Sequence, residues 1–129
     1  MCMKLREVLG AALLMAPLTA IVACGSYGGP SPVQGEGLTA APAGAIVIEV
    51  VGQAGTRSYS PDPATVADGA TVTWHNADNV VHRVVLDDGR LDGGNISPGR
   101  FSPAMTLAQP GAYHCSIHPS MVGTLVRAQ

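Results

Sequence analysis

From Ala45 to the C-terminus, apolar residues come in short runs rich in β-branched side chains, each bounded by turn-forming residues. Ala45–Val51 (AIVIEVV) predicts one strand, and Ala70–His75 (ATVTWH), alternating apolar with polar directly after Asp68-Gly69, predicts a second. Val80–Leu86 (VVHRVVL) predicts a third, followed by a turn-rich stretch from Asp87 to Gly94. Phe101–Leu107, Ala112–Cys115 and Val122–Arg127 complete the set, and Pro110-Gly111 turns the chain before the penultimate strand. No segment of this region repeats its apolar residues with a helical period. About seven short strands separated by turns imply an all-β domain built as a β-sandwich. Its core is drawn mainly from Val, Ile and Leu, with Trp74, the single tryptophan, expected inside.

The first 23 residues follow another pattern. Lys4 and Arg6 precede an apolar run from Val8 to Ala23, which is too short to span a bilayer comfortably and has the flanks of a secretory signal. The run ends at Ile21-Val22-Ala23-Cys24, which resembles the bacterial lipobox, where cleavage before the cysteine is coupled to its diacylation. Residues 24–44 then form a Gly-, Pro- and Ala-rich stretch with almost nothing to bury, the composition of a flexible linker. The expected organisation is thus a signal peptide over 1–23, a lipidated Cys24 with its linker over 24–44, and one domain over 45–129.

Charge narrows the partners. The whole chain carries a formal −2, and the 106 residues left after cleavage carry −3, so the basic footprint of a nucleic-acid binder is missing. Cysteine use is more telling. Cys2 leaves with the signal and Cys24 takes the lipid, so Cys115 is the one free thiol and no disulfide can form in the mature chain. A lone thiol in an oxidising compartment calls for a chemical reason.

Tyr113-His114-Cys115-Ser116-Ile117-His118-Pro119-Ser120-Met121 supplies one. A thiolate, an imidazole and a thioether at C-x2-H-x2-M, in a loop between two predicted strands, can fold around one point. His82, a histidine inside an otherwise apolar strand, is the candidate fourth ligand. Structural zinc sites favour four Cys or His ligands and catalytic ones keep a place for water, whereas two His and one Cys with a weak axial Met is the blue-copper arrangement. Four protein ligands leave no open position for a substrate, so the chain is not expected to be an enzyme.

At these positions the sequence resembles the cupredoxins, specifically the plastocyanin and amicyanin branch, from about Ile46 to Val126. The resemblance rests on Tyr59-Ser60-Pro61, Asp68-Gly69 with Thr71-Val72-Thr73-Trp74, Val81-His82, Ser97-Pro98-Gly99, Pro110-Gly111-Ala112-Tyr113 and the ligand loop, whose two-residue His–Met gap is similar to amicyanin. It implies a Greek-key sandwich with one type 1 copper held by His82, Cys115, His118 and Met121 near one end. It further implies electron exchange through the His118 rim with a redox donor and acceptor. Two positions depart from the pattern: many relatives have Pro before the first ligand histidine and Asn after it, and here stand Val81 and Arg83. The Asn normally bonds across to the ligand loop, so that support has to come from elsewhere.

The expected function is a monomeric small electron carrier that is exported and anchored to a membrane through Cys24, facing the periplasm or cell exterior. Copper storage or delivery would use the same ligands, but the extra Met or His runs of a storage site are absent. A cysteine hydrolase on Cys115 lacks an evident base or oxyanion hole. His75, which ends a predicted strand, and His114, on the strand face opposite Cys115, are not assigned to the metal. Asn95-Ile96-Ser97 matches a glycosylation sequon by coincidence. The lipobox reading predicts that protein extracted from membranes carries a diacylated N-terminal Cys24 by mass spectrometry. A Cys24→Ser chain should lose that mass and leave the membrane fraction.

Overall fold

The computed structural model describes residues 35–129; the signal segment, Cys24 and the first part of the linker lie outside the described residues. Among the described residues, nine strands make two sheets. They are β1 (Ile46–Val50), β2 (Tyr59–Ser60), β3 (Ala64–Val66), β4 (Thr71–Asn76), β5 (His82–Leu86), β6 (Asp92–Ile96), β7 (Met105–Thr106), β8 (Ala112–Cys115) and β9 (Val122–Arg127). One sheet has the order β2-β1-β4-β7 and the other β3-β9-β8-β5-β6. The β1/β4 and β3/β9 pairs are parallel and the remaining pairs antiparallel, which is a Greek-key β-sandwich. Among the described residues no helix is long and apolar enough to cross a membrane.

Alternation decides which side chains meet between the sheets. On β5, His82, Val84 and Leu86 are buried while Arg83 is exposed, and on β8 Tyr113 and Cys115 are buried with Ala112 exposed. Period-two geometry places each set on one face. Facing them are Ile48 and Val50 of β1 and Val72 and Trp74 of β4, all fully buried. Trp74 packs edge-on against Tyr113, with ring centroids 5.2 Å apart, and Tyr113 against Tyr59 at 4.8 Å. Edge-to-face contacts of this kind add to the area that each ring removes from water.

The expected strands over 45–51, 70–75, 80–86, 112–115 and 122–127 are present within a residue or two. The sixth, over 101–107, is reduced to β7 and an isolated bridge at Phe101, which pairs with His75. Three strands go beyond the sequence reading: β2, β3 and β6. In β6 the run Asp92-Gly93-Gly94-Asn95 carries no β-forming side chain, yet it pairs with β5 through Ile96↔His82 and Arg83↔Asn95. Gly93 is there for space, since a Cβ would meet Met105 Cε and the Val84 carbonyl, both at 3.2 Å.

Residues 36–38 are a strap on the domain: the Ser97 amide donates to the Glu36 carbonyl at 2.9 Å, and Leu38 and Phe101 exchange two backbone bonds of 2.7 and 2.9 Å. Gly37 takes φ +105°, and a side chain there would press on Phe101 and Arg100. Backbone pairing to the sandwich therefore begins before Ala45.

Gly123 faces Tyr113 across the β8/β9 ladder, and a methyl group there would fall inside 3.0 Å of Tyr113 ring atoms. Gly123→Ala is expected to cost about 1–3 kcal/mol through overpacking, read as a lower urea midpoint at unchanged m-value.

Candidate metal centre

The antiparallel register of β5 and β8 brings the two central donors together. Val84 lies opposite Cys115, so His82, two residues along the same inward face, is Cys115's diagonal neighbour. Both side chains are fully buried. The chain then leaves β8, folds back through residues 116–120 and closes on itself: the Met121 amide donates to the His118 carbonyl at 2.9 Å, and the Cys115 amide to the Met121 carbonyl at 3.0 Å. Pro119, with its φ fixed, lies in this loop. His118 is half-buried and Met121 fully buried.

His82, Cys115 and His118 form the one group of three or more potential ligands found among the described residues. Their donor atoms are closely spaced. Sγ of Cys115 is 3.7 Å from Nδ1 of His82 and 3.7 Å from Nδ1 of His118, and the two Nδ1 atoms are 3.3 Å apart. Such separations suit a single ion with bonds of about 2.0–2.3 Å, the length imidazole and thiolate adopt toward zinc and its neighbours. Two imidazoles and a thiolate in a three-cornered array, with a buried thioether in the same loop, match the donor chemistry of type 1 copper. His75 and His114 stand apart. His75 stacks on Phe101 and bonds Glu49 at 2.6 Å, and His114, on the opposite face of β8, bonds Asp87 at 2.6 Å.

Three supports around these donors are not visible in a linear reading. The first is Asp78, whose Oδ2 lies 2.9 Å from Nε2 of His82. With Nε2–H donated to the carboxylate, the Nδ1 lone pair is left facing the thiolate, so the contact selects tautomer and ring orientation together. The Asn79 amide, at 2.7 Å, and then the His82 ring hold the Asp78 carboxyl below its usual range. The second is Asn76, fully buried at the end of β4. Its Nδ2 donates to the carbonyls of Val80 and Ile96, each at 2.7 Å, and its Oδ1 accepts the Asp78 amide at 3.0 Å. One side chain thus ties the loop before His82 to β6.

The third takes the place of the Asn that many relatives carry where Arg83 stands. The Arg83 amide donates to Cys115 Sγ at 3.4 Å, and the Ser116 amide donates to the Arg83 carbonyl at 2.8 Å. The backbone groups of residue 83 lock the ligand loop to β5, and neither bond depends on that residue's side chain. That side chain turns outward into a two-pronged pair with Asp92 on β6. Beneath the cluster, burial first and the nearby Cys115 second push the Tyr59 phenol well above its ordinary range, so it stays neutral.

Sandwich and donor cluster together define the class: the fold is that of the cupredoxins, with a donor set suited to one type 1 copper. Its likeness is to amicyanin in particular. An oxidised amicyanin variant superposes with TM-score 0.58 at 26% identity, covering 75% of this chain and 95% of that one. A reduced Cu(I) form of another amicyanin variant gives 0.57 at 25%, covering 73% and 91%. A purple cupredoxin from Nitrosopumilus maritimus gives 0.52 at 27%, covering 64% and 98%. No sequence-family model matches the chain, and neither does any curated protein sequence.

Asp78→Ala is expected to weaken copper binding about 10–100-fold, the usual effect of removing the partner of a ligating histidine. Competition against a chelator of known affinity reads this directly, with unchanged urea stability of the metal-free protein as the control.

Proposed function

We propose that this protein is a small blue copper electron carrier working outside the cytoplasm, held at a membrane by a lipid on Cys24 and passing single electrons between a redox donor and acceptor that dock near His118. The observation that carries this reading is the convergence of two Nδ1 atoms and one Sγ within 3.7 Å of one another at the end of the sandwich. Met121, from the same loop, is the assigned axial ligand. Bound copper supplies a one-electron Cu(I)/Cu(II) couple.

The residues make that couple usable. Cys115 and Met121 present sulfur, which suits Cu(I), while His82 and His118 present imidazole, which suits both oxidation states. The Arg83–Cys115–Ser116 lock and the Asn76 bonds hold the donor positions against rearrangement, so a change of oxidation state moves little. His118 alone among the three converging donors reaches the surface. Ile117, 45% exposed, and Val80, 36% exposed, flank the same two loops with apolar surface on which another protein can seat. Four protein ligands leave no place for a substrate, which favours a carrier over an enzyme.

The deciding test is to add Cu(II) to the metal-free protein and record its absorption and electron paramagnetic resonance spectra. The carrier reading expects an intense visible thiolate-to-copper band, lost in Cys115→Ala. In His118→Ala it should become sensitive to added imidazole. Met121→Leu should keep the band and raise the reduction potential, because losing the thioether disfavours Cu(II). A colourless protein that prefers zinc would overturn the assignment.

A further inference from the structure

Asp78 does more than choose which nitrogen of His82 faces the thiolate. Both of its carboxylate oxygens meet N–H donors: Oδ1 accepts the Asn79 amide at 2.7 Å, and Oδ2 accepts Nε2–H of His82 at 2.9 Å. Its own amide donates to Oδ1 of Asn76 at 3.0 Å, and Asn76 is pinned in turn by the carbonyls of Val80 and Ile96. The side chain is thus held at three points against the outer edge of a ligand ring that has no solvent exposure. Donors at both oxygens suit an ionised carboxylate, which is acceptor only.

The donors around the metal position carry one negative charge, on Cys115, because histidines ligate as neutral rings. A divalent ion among them leaves one positive charge uncompensated where His82, Cys115 and Met121 are fully buried. A monovalent ion leaves none. Unbalanced charge in a sheltered place is costly, so a nearby carboxylate favours the divalent state. With Asp78 included, the oxidised site is neutral and the reduced one carries a single negative charge. Among the described residues no arginine competes for this carboxylate: Arg83 pairs with Asp92, Arg90 with Asp88 and Arg127 with Asp68, and the charged groups acting on Asp78 are the rings of His82 and His118. With 19% of its side chain exposed, Asp78 is only weakly screened by salt. Glu49 and Asp87 bond histidines in the same way, but their partners, His75 and His114, stand outside the donor cluster.

We propose that Asp78 is the counter-charge that sets the reduction potential of this site: it favours Cu(II) over Cu(I), lowers the potential, and makes the reduced protein a stronger electron donor than its four ligands alone would. This rests on the reading of the site as type 1 copper. The role is separate from the grip on the ring, since a neutral acceptor at Nε2 would orient His82 without supplying charge.

The test compares copper-loaded Asp78→Asn with the native chain. With the metal on Nδ1, Nε2 bears the hydrogen and the Asn oxygen can still accept it, so the orientation survives and the charge is lost; the exposed Asn79 amide turns to water. The visible band should persist. Nitrogen-15 NMR of the diamagnetic Cu(I) forms should show the hydrogen on Nε2 of His82 in both proteins. Voltammetry should give a higher potential in Asp78→Asn, with Cu(II) affinity falling about tenfold more than Cu(I) affinity, a rise of about 59 mV for a one-electron couple. Asp78→Ser, likewise neutral, should shift the potential in the same direction, whereas Asp68→Asn, which removes an equal charge from the Arg127 pair, should move it far less. An unchanged or lowered potential in both neutral variants at residue 78, or an equal shift in Asp68→Asn, would overturn the counter-charge. So would loss of the band in both of them while the metal-free chains keep the native urea midpoint, because the carboxylate would then serve only to place the ring. Absence of the band in the native protein would overturn it together with the copper reading.

Discussion

The site depends on one stretch of antiparallel pairing, the register that sets Val84 opposite Cys115. A slip of one residue would turn His82 outward and Arg83 inward, because strand side chains alternate. What prevents the slip is shared among several groups. Apolar burial of Val84, Leu86 and Tyr113 favours this face, the Arg83 backbone bonds both Cys115 Sγ and the Ser116 amide, and Asn76 anchors the loop that delivers His82. The bonds to Sγ and from Ser116 both run through one residue adjacent to His82, so strand register and donor geometry are enforced by the same contacts.

That arrangement explains why an Arg is tolerated where an Asn was expected. An amide side chain at residue 83 could reinforce the loop, but the main chain already supplies the essential bonds, and main-chain bonds are indifferent to side-chain identity. The Arg83 head, 45% exposed, instead pairs with Asp92, also exposed. Solvent screening limits the worth of such a pair. Its use is topological: it fastens edge strand β6, which has few side chains of its own to do so, to β5.

Much of this was legible from the chain. The C-x2-H-x2-M spacing marks three donors because a short loop can bring only neighbours together, and a histidine in an apolar strand stands out against its surroundings. Trp74 followed from alternation. The unread parts share a cause, which is that long-range backbone pairing leaves little trace in side-chain pattern. β6 is held by its partner strand in spite of its glycines, and the strap reads as linker because its contacts to Ser97 and Phe101 are made by backbone groups. Asp78 is a different case. An aspartate four residues before a histidine is visible, but only the loop geometry fixed by Asn76 turns that spacing into a carboxylate on Nε2.

The supports also differ in what they hold. Cys115 and His82 sit on paired strands with no solvent access, whereas His118 stands on a loop tied mainly by its own backbone bonds. A site meant to release its metal would place its most accessible ligand where it can swing away and would leave the others loosely supported. Here the accessible His118 belongs to a loop closed on both sides by Cys115 and Met121, and the buried His82 and Cys115 are braced by Asp78, Asn76 and Arg83. Bracing of this kind lowers the cost of changing charge without changing shape. Such rigidity serves an electron that enters and leaves more than an ion that does.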